Sequence, residues 1–217
     1  MLPEKFCLIA LKEILMHKTR PLKSNPRRSL RLNPNGDRPQ VDPGAYVDPT
    51  AQLIGKVRLG PRVFVGPNAV IRADEVDSSS LVGPIDIGPE CNVQDGVIIH
   101  AVGGSKVTVG RRSSLAHGCI VHGPCTLGEG CFVGFGAKVF DAEIGDGTFI
   151  GTGAIVQGVE LAPKSFVPPG VTVFCREQVI KFVGTTGPEN CEFASRVMDA
   201  NTKLAQEYIN LDVSDLL

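Results

Sequence analysis

The chain has 217 residues, a formal charge of −1, and only 6% aromatic residues, with no Trp. An acidic body without a basic stripe argues against nucleic-acid binding, and no apolar run is long enough to predict a membrane span. Gly (25) and Pro (16) are plentiful, which suits a stack of turns better than a conventional aromatic core.

The small net charge hides an asymmetry. Residues 1–35 carry eight Lys and Arg against Glu4 and Glu13, a local charge of +6, so the remainder is −7. Residues 1–37 therefore read as a basic extension, either flexible or an organelle-targeting peptide on an otherwise cytoplasmic protein. Its apolar stretch, Phe6 to Met16, is interrupted by Lys12 and Glu13.

From residue 38 to 175 a large aliphatic returns every six positions. The run is Val41, Val47, Leu53, Leu59, Val65, Ile71, then Ile87, Val93, Ile99, then Val109, Leu115, Val121, Leu127, Val133, Val139. It resumes after five-residue steps at Ile144, Ile150, Val156 and at Leu161, Val167, Val173. A period of six fits neither a helix nor an alternating strand and signals a repeat architecture. A small residue sits two positions before each aliphatic, and Gly often follows it, where a turn needs unusual dihedrals or close backbone approach. This is the packing rule of a thin triangular prism. The predicted fold is all-β, a parallel β-helix of about seven hexapeptide-repeat coils, roughly 34 Å long at one inter-strand spacing per coil. Cys91, Cys119, Cys125 and Cys131 fall on the small inward position, where a free thiol packs as a small hydrophobe.

Polar segments at 72–86 and 100–108 break the beat, and loops extruded from a solenoid are where sites tend to sit. After Val173 the pattern becomes helical. Pro188 can open a helix, and Phe193, Val197, Leu204 and Tyr208 give it one apolar face, so residues 176–217 are predicted to pack along the prism.

Exceptions to a packing rule mark candidate sites. Arg72, Gln94, His100 and His122 stand at the turn position where Gly is usual. Ile99 and Val121 occupy the same face in successive coils, so His100 and His122 should stack about 5 Å apart and could share one metal ion. His117, two residues past Leu115, belongs to another side. It completes a three-histidine set only if a neighbouring prism supplies it, as in a homotrimer with sites between subunits. The plainer alternative is that these imidazoles bond backbone groups at turns.

The segments Ile71-Arg72-Ala73-Asp74-Glu75, Asn92-Val93-Gln94-Asp95-Gly96-Val97-Ile98-Ile99-His100 and Ser114-Leu115-Ala116-His117-Gly118-Cys119-Ile120-Val121-His122-Gly123-Pro124 together resemble the γ-class carbonic anhydrases. The amino-terminal domain of the carboxysome scaffold protein is similar. The resemblance covers about residues 38–210 and implies a left-handed β-helix in a homotrimer. It implies His100, His117 and His122 as zinc ligands, with iron or cobalt as substitutes, and CO2 and bicarbonate as substrates attacked and released at a metal-activated hydroxide. Gln94 and Asn92 match site-lining amides, Glu75 a proton-transfer acid, and Asn201 a helix amide near the site. Arg72 and Asp95 match a pair that links neighbouring subunits. The segment Ala101-Val102-Gly103-Gly104-Ser105 departs from the long acidic loop of the archetypal member and carries no acid in its place. Two other functions share this fold: a weakly active or inactive metal-binding scaffold trimer, and a hexapeptide acyltransferase.

Overall fold

One large and one small inward residue per six-residue side leave room for only three short strands per turn of chain, each buried against the coils above and below. The computed structural model, which describes residues 29–214, winds seven such coils. Every strand pair along the coils is parallel, in three ladders. The first face holds Val57–Leu59, Ile85–Ile87, Val107–Val109 and their successors; the second holds Phe64–Val65, Asn92–Val93, Ser114–Leu115 and Phe132–Val133; the third holds Gln52–Gly55, Val70–Ala73, Ile98–Ala101 and the first half of Ile120–Leu127. The aliphatics of the six-residue rhythm line the interior: Leu53, Val65, Ile71, Val93, Ile99, Leu115, Val121 and Val133 are all fully buried. The fold is the left-handed hexapeptide-repeat β-helix expected.

The corners resolve why Gly follows the aliphatic. The residue in the left-handed region is the third after it, as at Gly118 (φ +67) and Gly136 (φ +63). The Gly immediately after it serves close approach instead. A Cβ on Gly110 would meet the carbonyl carbon of Gly128 at 2.5 Å, and one on Gly145 would meet Pro163 N at 2.4 Å, so coils can stack there only without a side chain. At the corner after the third face the left-handed residue, where one occurs, is the second after the aliphatic, as at Gly55 (φ +77) and Gly158 (φ +65). There Ile120–Leu127 and Lys138–Ile144 run straight from the third face onto the first. The register between them shifts between His122 and Cys125, so the five-residue step in the sequence is the next coil omitting one corner residue.

Cys91, Cys119, Cys125 and Cys131 are free and buried. Burial pushes the thiols of Cys91, Cys119 and Cys125 up to about 12 and that of Cys131 to about 11. They stay protonated at neutral pH and act as packing residues.

Two helices follow the last coil. Helix α1, Arg176–Phe182, buries none of its residues. Helix α2, Pro188–Ser214, lies across the second face, where outward side chains form a column in register: Phe64, Asn92, Ser114, Phe132, Phe149 and Phe166. Phe193 packs edge-on against Phe132 (5.4 Å between centroids), and Tyr208 stacks on Tyr46 at 4.6 Å. Met198 and Ala205 are the most deeply buried helix residues, between the Phe193–Val197 and Leu204–Tyr208 positions that the helical spacing marks. No helix among the described residues is long and apolar enough to cross a membrane.

One boundary moves. Residues 1–37 read as an extension outside the fold, yet Leu30–Arg31 pairs in parallel with Leu53–Ile54 on the third face, and Ser29 and Asn33 are each 5% exposed. Two residues cannot display a period of six, so the strand carries no sequence signature. The flexible or targeting reading of residues 1–28 lies outside the described residues.

Candidate metal centre

His100 and His122 are direct Cα partners on adjacent strands, and their ring centroids are 4.9 Å apart, as the register predicts. They stand at the third corner, on Ile98–Ala101 and Ile120–Leu127. His122 Nδ1 lies 2.9 Å from Gly123 O, so that nitrogen carries the proton and its Nε2 presents a lone pair. This Nε2 is 3.1 Å from His100 Nδ1. The outer nitrogen of His100, Nε2, is 3.2 Å from Glu75 Oε1 and 3.9 Å from Asp74 Oδ1. The approach to Glu75 is too poorly aligned for a hydrogen bond, and His100 Nε2 and Asp74 Oδ1 are both buried without a partner in the chain. Arg72 faces the same two acids, at 3.4 Å from Asp74 and 3.6 Å from Glu75.

This arrangement fits a cation. A proton on His100 Nε2 would sit toward the two carboxylates and turn the Nδ1 lone pair onto that of His122, which repel across 3.1 Å unless a positive charge lies between them. At metal–nitrogen distances of ~2.0–2.1 Å that separation subtends roughly 100°, close to a tetrahedral angle. The backbone carbonyl on His122 and the carboxylates on His100 are the outer-shell partners that metal-binding imidazoles usually have. Two imidazoles are nonetheless too few, and no group of three potential ligands converges among the described residues of one chain.

His117 lies away from this pair. It follows Ser114–Leu115 at the second corner, stacked parallel on Phe135 (5.7 Å, 6°) with its side chain half exposed. Asp95, one coil earlier, lies 3.7 Å from its Nδ1, and Gln94 stands beside Asp95 at the same corner. The chain thus carries two clusters of polar side chains at opposite edges of the third face. One is Arg72, Asp74, Glu75, His100 and His122; the other is Gln94, Asp95 and His117. Between them the outward column is Gln52, Val70, Ile98, Ile120, Lys138 and Ile155, mostly apolar and with Ile98 41% exposed. Arg72 and Asp95 therefore do not meet within one chain.

The two amides are placed differently from the histidines. Asn92 is fully buried in the column beneath α2, donating to Ser114 Oγ at 2.9 Å with its own Oδ1 unpartnered. Asn201, on α2, donates to Val197 O at 2.8 Å. Neither is brought to the His100–His122 pair of its own chain. Three neighbours escaped the sequence reading: Asp74, Phe135 under His117, and Phe140 edge-on to His122 at 5.2 Å. The signal for Phe135 and Phe140 was available, since both hold the outward corner positions one coil after His117 and His122. A cleft of about 410 Å³ lies elsewhere, between α2 and the second face, near Arg111, Arg112 and Phe149.

Burial lowers the pKa of His100 below its ordinary 6.5, helped by the charge of Arg72 and opposed by Glu75. The folded chain thus favours neutral imidazole. That contribution to stability is complete above the unfolded value and is lost as pH falls through the lower folded one. The unfolding free energy from urea titrations should decline as pH drops below 6.5, and His100→Gln should flatten that decline. An unchanged profile would assign the slope to other groups.

No protein-family model matches the chain. It is 39% identical over 131 residues to a carbonic anhydrase of Methanosarcina thermophila, a match covering 52% of this chain and 51% of that protein. It is 32% identical over 180 residues to the carboxysome assembly protein CcmM of a Nostoc species, covering 78% of this chain and 31% of CcmM. The chain thus spans about half the length of the first relative and about a third of the second. Among solved structures, a Bacillus cereus protein described as a putative acetyltransferase superposes with a TM-score of 0.69 at 24% identity, over 84% of this chain and 97% of that one, a likeness of fold alone.

Proposed function

We propose that this hexapeptide-repeat β-helix, a homologue of a carbonic anhydrase and of CcmM, hydrates CO2 reversibly to bicarbonate and a proton at divalent-cation sites between the subunits of a homotrimer. The observation that carries the reading is the facing pair of imidazole nitrogens, 3.1 Å apart, with the third histidine at the opposite edge of an apolar face. A surface with complementary halves on its two edges closes into a ring when copies pack edge to edge. His100 and His122 of one copy and His117 of the next would hold the cation, zinc by donor chemistry, with iron or cobalt as alternatives. In such a site the cation supplies Lewis acidity, making water acidic near neutral pH.

The remaining chemistry belongs to the chain. Gln94, one corner residue away from His117, is placed to hydrogen-bond and orient the attacking oxygen. Apolar Ile98 and the rings of Phe135 and Phe140 exclude bulk water from the interface and leave room for an apolar gas. Hydration releases one proton per turnover. Glu75 is 42% exposed, touches both His100 and Arg72, and can accept that proton and pass it to solvent. The loop Ala101–Ser105 offers no acid for this task. Asn92 and Asn201 stand farther from the paired histidines of their own chain, Asn92 beneath α2 and Asn201 on it.

Stopped-flow CO2 hydration tests this reading. Wild type should turn over, and Glu75→Gln should lose roughly 100-fold or more of kcat at low buffer, within the range for a positioned proton-transfer group, and regain it at high buffer with kcat/KM unchanged. Cation binding without hydration in wild type would instead favour a structural trimer, a reading supported by the 78% of this chain that aligns with CcmM. An acyltransferase leaves the paired imidazoles unexplained, because acyl transfer needs a single general base.

A further inference from the structure

The acidic loop that carries Asp74 and Glu75 is held from an unexpected quarter. The segment Ser29–Asp37 crosses the edge of the third face beside it. Asn33, 5% exposed, spends every polar atom of its side chain there. Its Oδ1 accepts from Asp37 N at 2.9 Å, while Nδ2 donates to Asp37 Oδ2 at 2.9 Å and to Ala73 O at 3.2 Å. Ala73 O belongs to the peptide that leads directly into Asp74. It also accepts from Lys56 N at 3.1 Å, and a Cβ on Gly55 would lie 2.0 Å from it, so the carbonyl is fixed on all sides. Asn35 Nδ2 donates to Ser80 O at 2.8 Å on the far limb of the same loop. The loop closes on itself through Asp77, whose Oδ1 accepts from Ser79 N and Leu81 N. Gly104 N donates to Glu75 O at 3.4 Å from the opposite side.

We infer that Ser29–Asp37 is a strap whose Asn33 and Asn35 amides are positioning residues: they hold the 74–83 loop so that the Glu75 carboxylate stays against His100 on the proton's exit route. The strap touches no substrate and no imidazole, so it acts only through the loop. Without Asn33 the buried Ala73 carbonyl loses one of its two partners, and without Asn35 the far limb loses its anchor. The loop then samples positions in which Glu75 has left His100. The catalytic part of this inference rests on the hydration reading above; the clamping part does not.

Two variants of the full chain separate these parts, Asn33→Ala and the solvent-exposed Asn35→Ala, which carries little risk to folding. Amide hydrogen exchange should quicken across residues 76–82 in both and stay unchanged across 120–127 in the coils. Unaltered exchange at 76–82 in both would overturn the strap, whatever the enzymology. In the hydration assay each variant should lose several-fold in kcat at low buffer and recover at high buffer, with kcat/KM and cation content unchanged. In a Glu75→Gln background neither strap substitution should produce any further loss, since the strap acts through that residue. Additive losses, or an equal fall in kcat/KM, would overturn the positioning role. A wild-type protein without hydration activity would end the preceding reading, and the exchange result alone would then decide the clamp.

Discussion

His117→Ala should abolish cation uptake while leaving every protomer folded. His117 is half exposed, and its ring meets Asp95 and Phe135, so its loss removes little packing from the coil. The His100–His122 pair, at the other edge of the face, keeps its geometry. Two imidazoles cannot hold a divalent ion as three do, and losing a direct ligand should cost more than the roughly 10–100-fold that removal of an outer-shell partner costs. Metal analysis by mass spectrometry after dialysis against trace zinc reads the effect directly, with circular dichroism as the folding control. Full occupancy in the variant would show that the cation, if bound, lies elsewhere. Hydration should fall with occupancy, because the acidity of the attacking water comes from the cation.

The largest stability loss is expected inside the prism. Leu115 is fully buried, and its neighbours in register are Val93 one coil before and Val133 one coil after. Leu115→Ala removes three methyl-sized groups from a stack in which only adjacent coils touch, so the cavity has few side chains able to close it. A loss of about 2–5 kcal/mol follows, or roughly 4–20 °C in Tm for a chain of this size. Because Leu115 fixes the corner that displays His117, cation affinity should weaken alongside stability. Differential scanning calorimetry on Leu115→Ala and on the outward control Thr108→Ala separates the two: a Tm for Leu115→Ala within a degree or two of the control would contradict the packing account.

Much of this was legible because the repeat fixes register. Counting six-residue steps placed His100 beneath His122 and set His117 on another side, and both follow from which face Ile99, Leu115 and Val121 occupy. The role of Gly in the corners was only half legible, since turn dihedrals and close approach favour the same residue and only coordinates separate Gly110 from Gly118. The strap was not legible at all. Leu30–Arg31 is too short to show a period, and Asn33 earns its place through a carbonyl 40 residues away. Asn92 and Gln94 are two residues apart, but the strand ends at Val93, so Asn92 packs in the column beneath α2 while Gln94 stands past the bend at the second corner.

The shared site is tested most directly by mixing defects. His100→Ala and His117→Ala subunits should each fail to bind zinc alone. Co-expressed, they can form trimers in which the intact His100–His122 edge of one subunit meets the intact His117 edge of the other. Zinc content and CO2 hydration should then return in the mixed assemblies, which a tag on one subunit type allows to be isolated. Mixed trimers as empty and inactive as either parent would contradict the account.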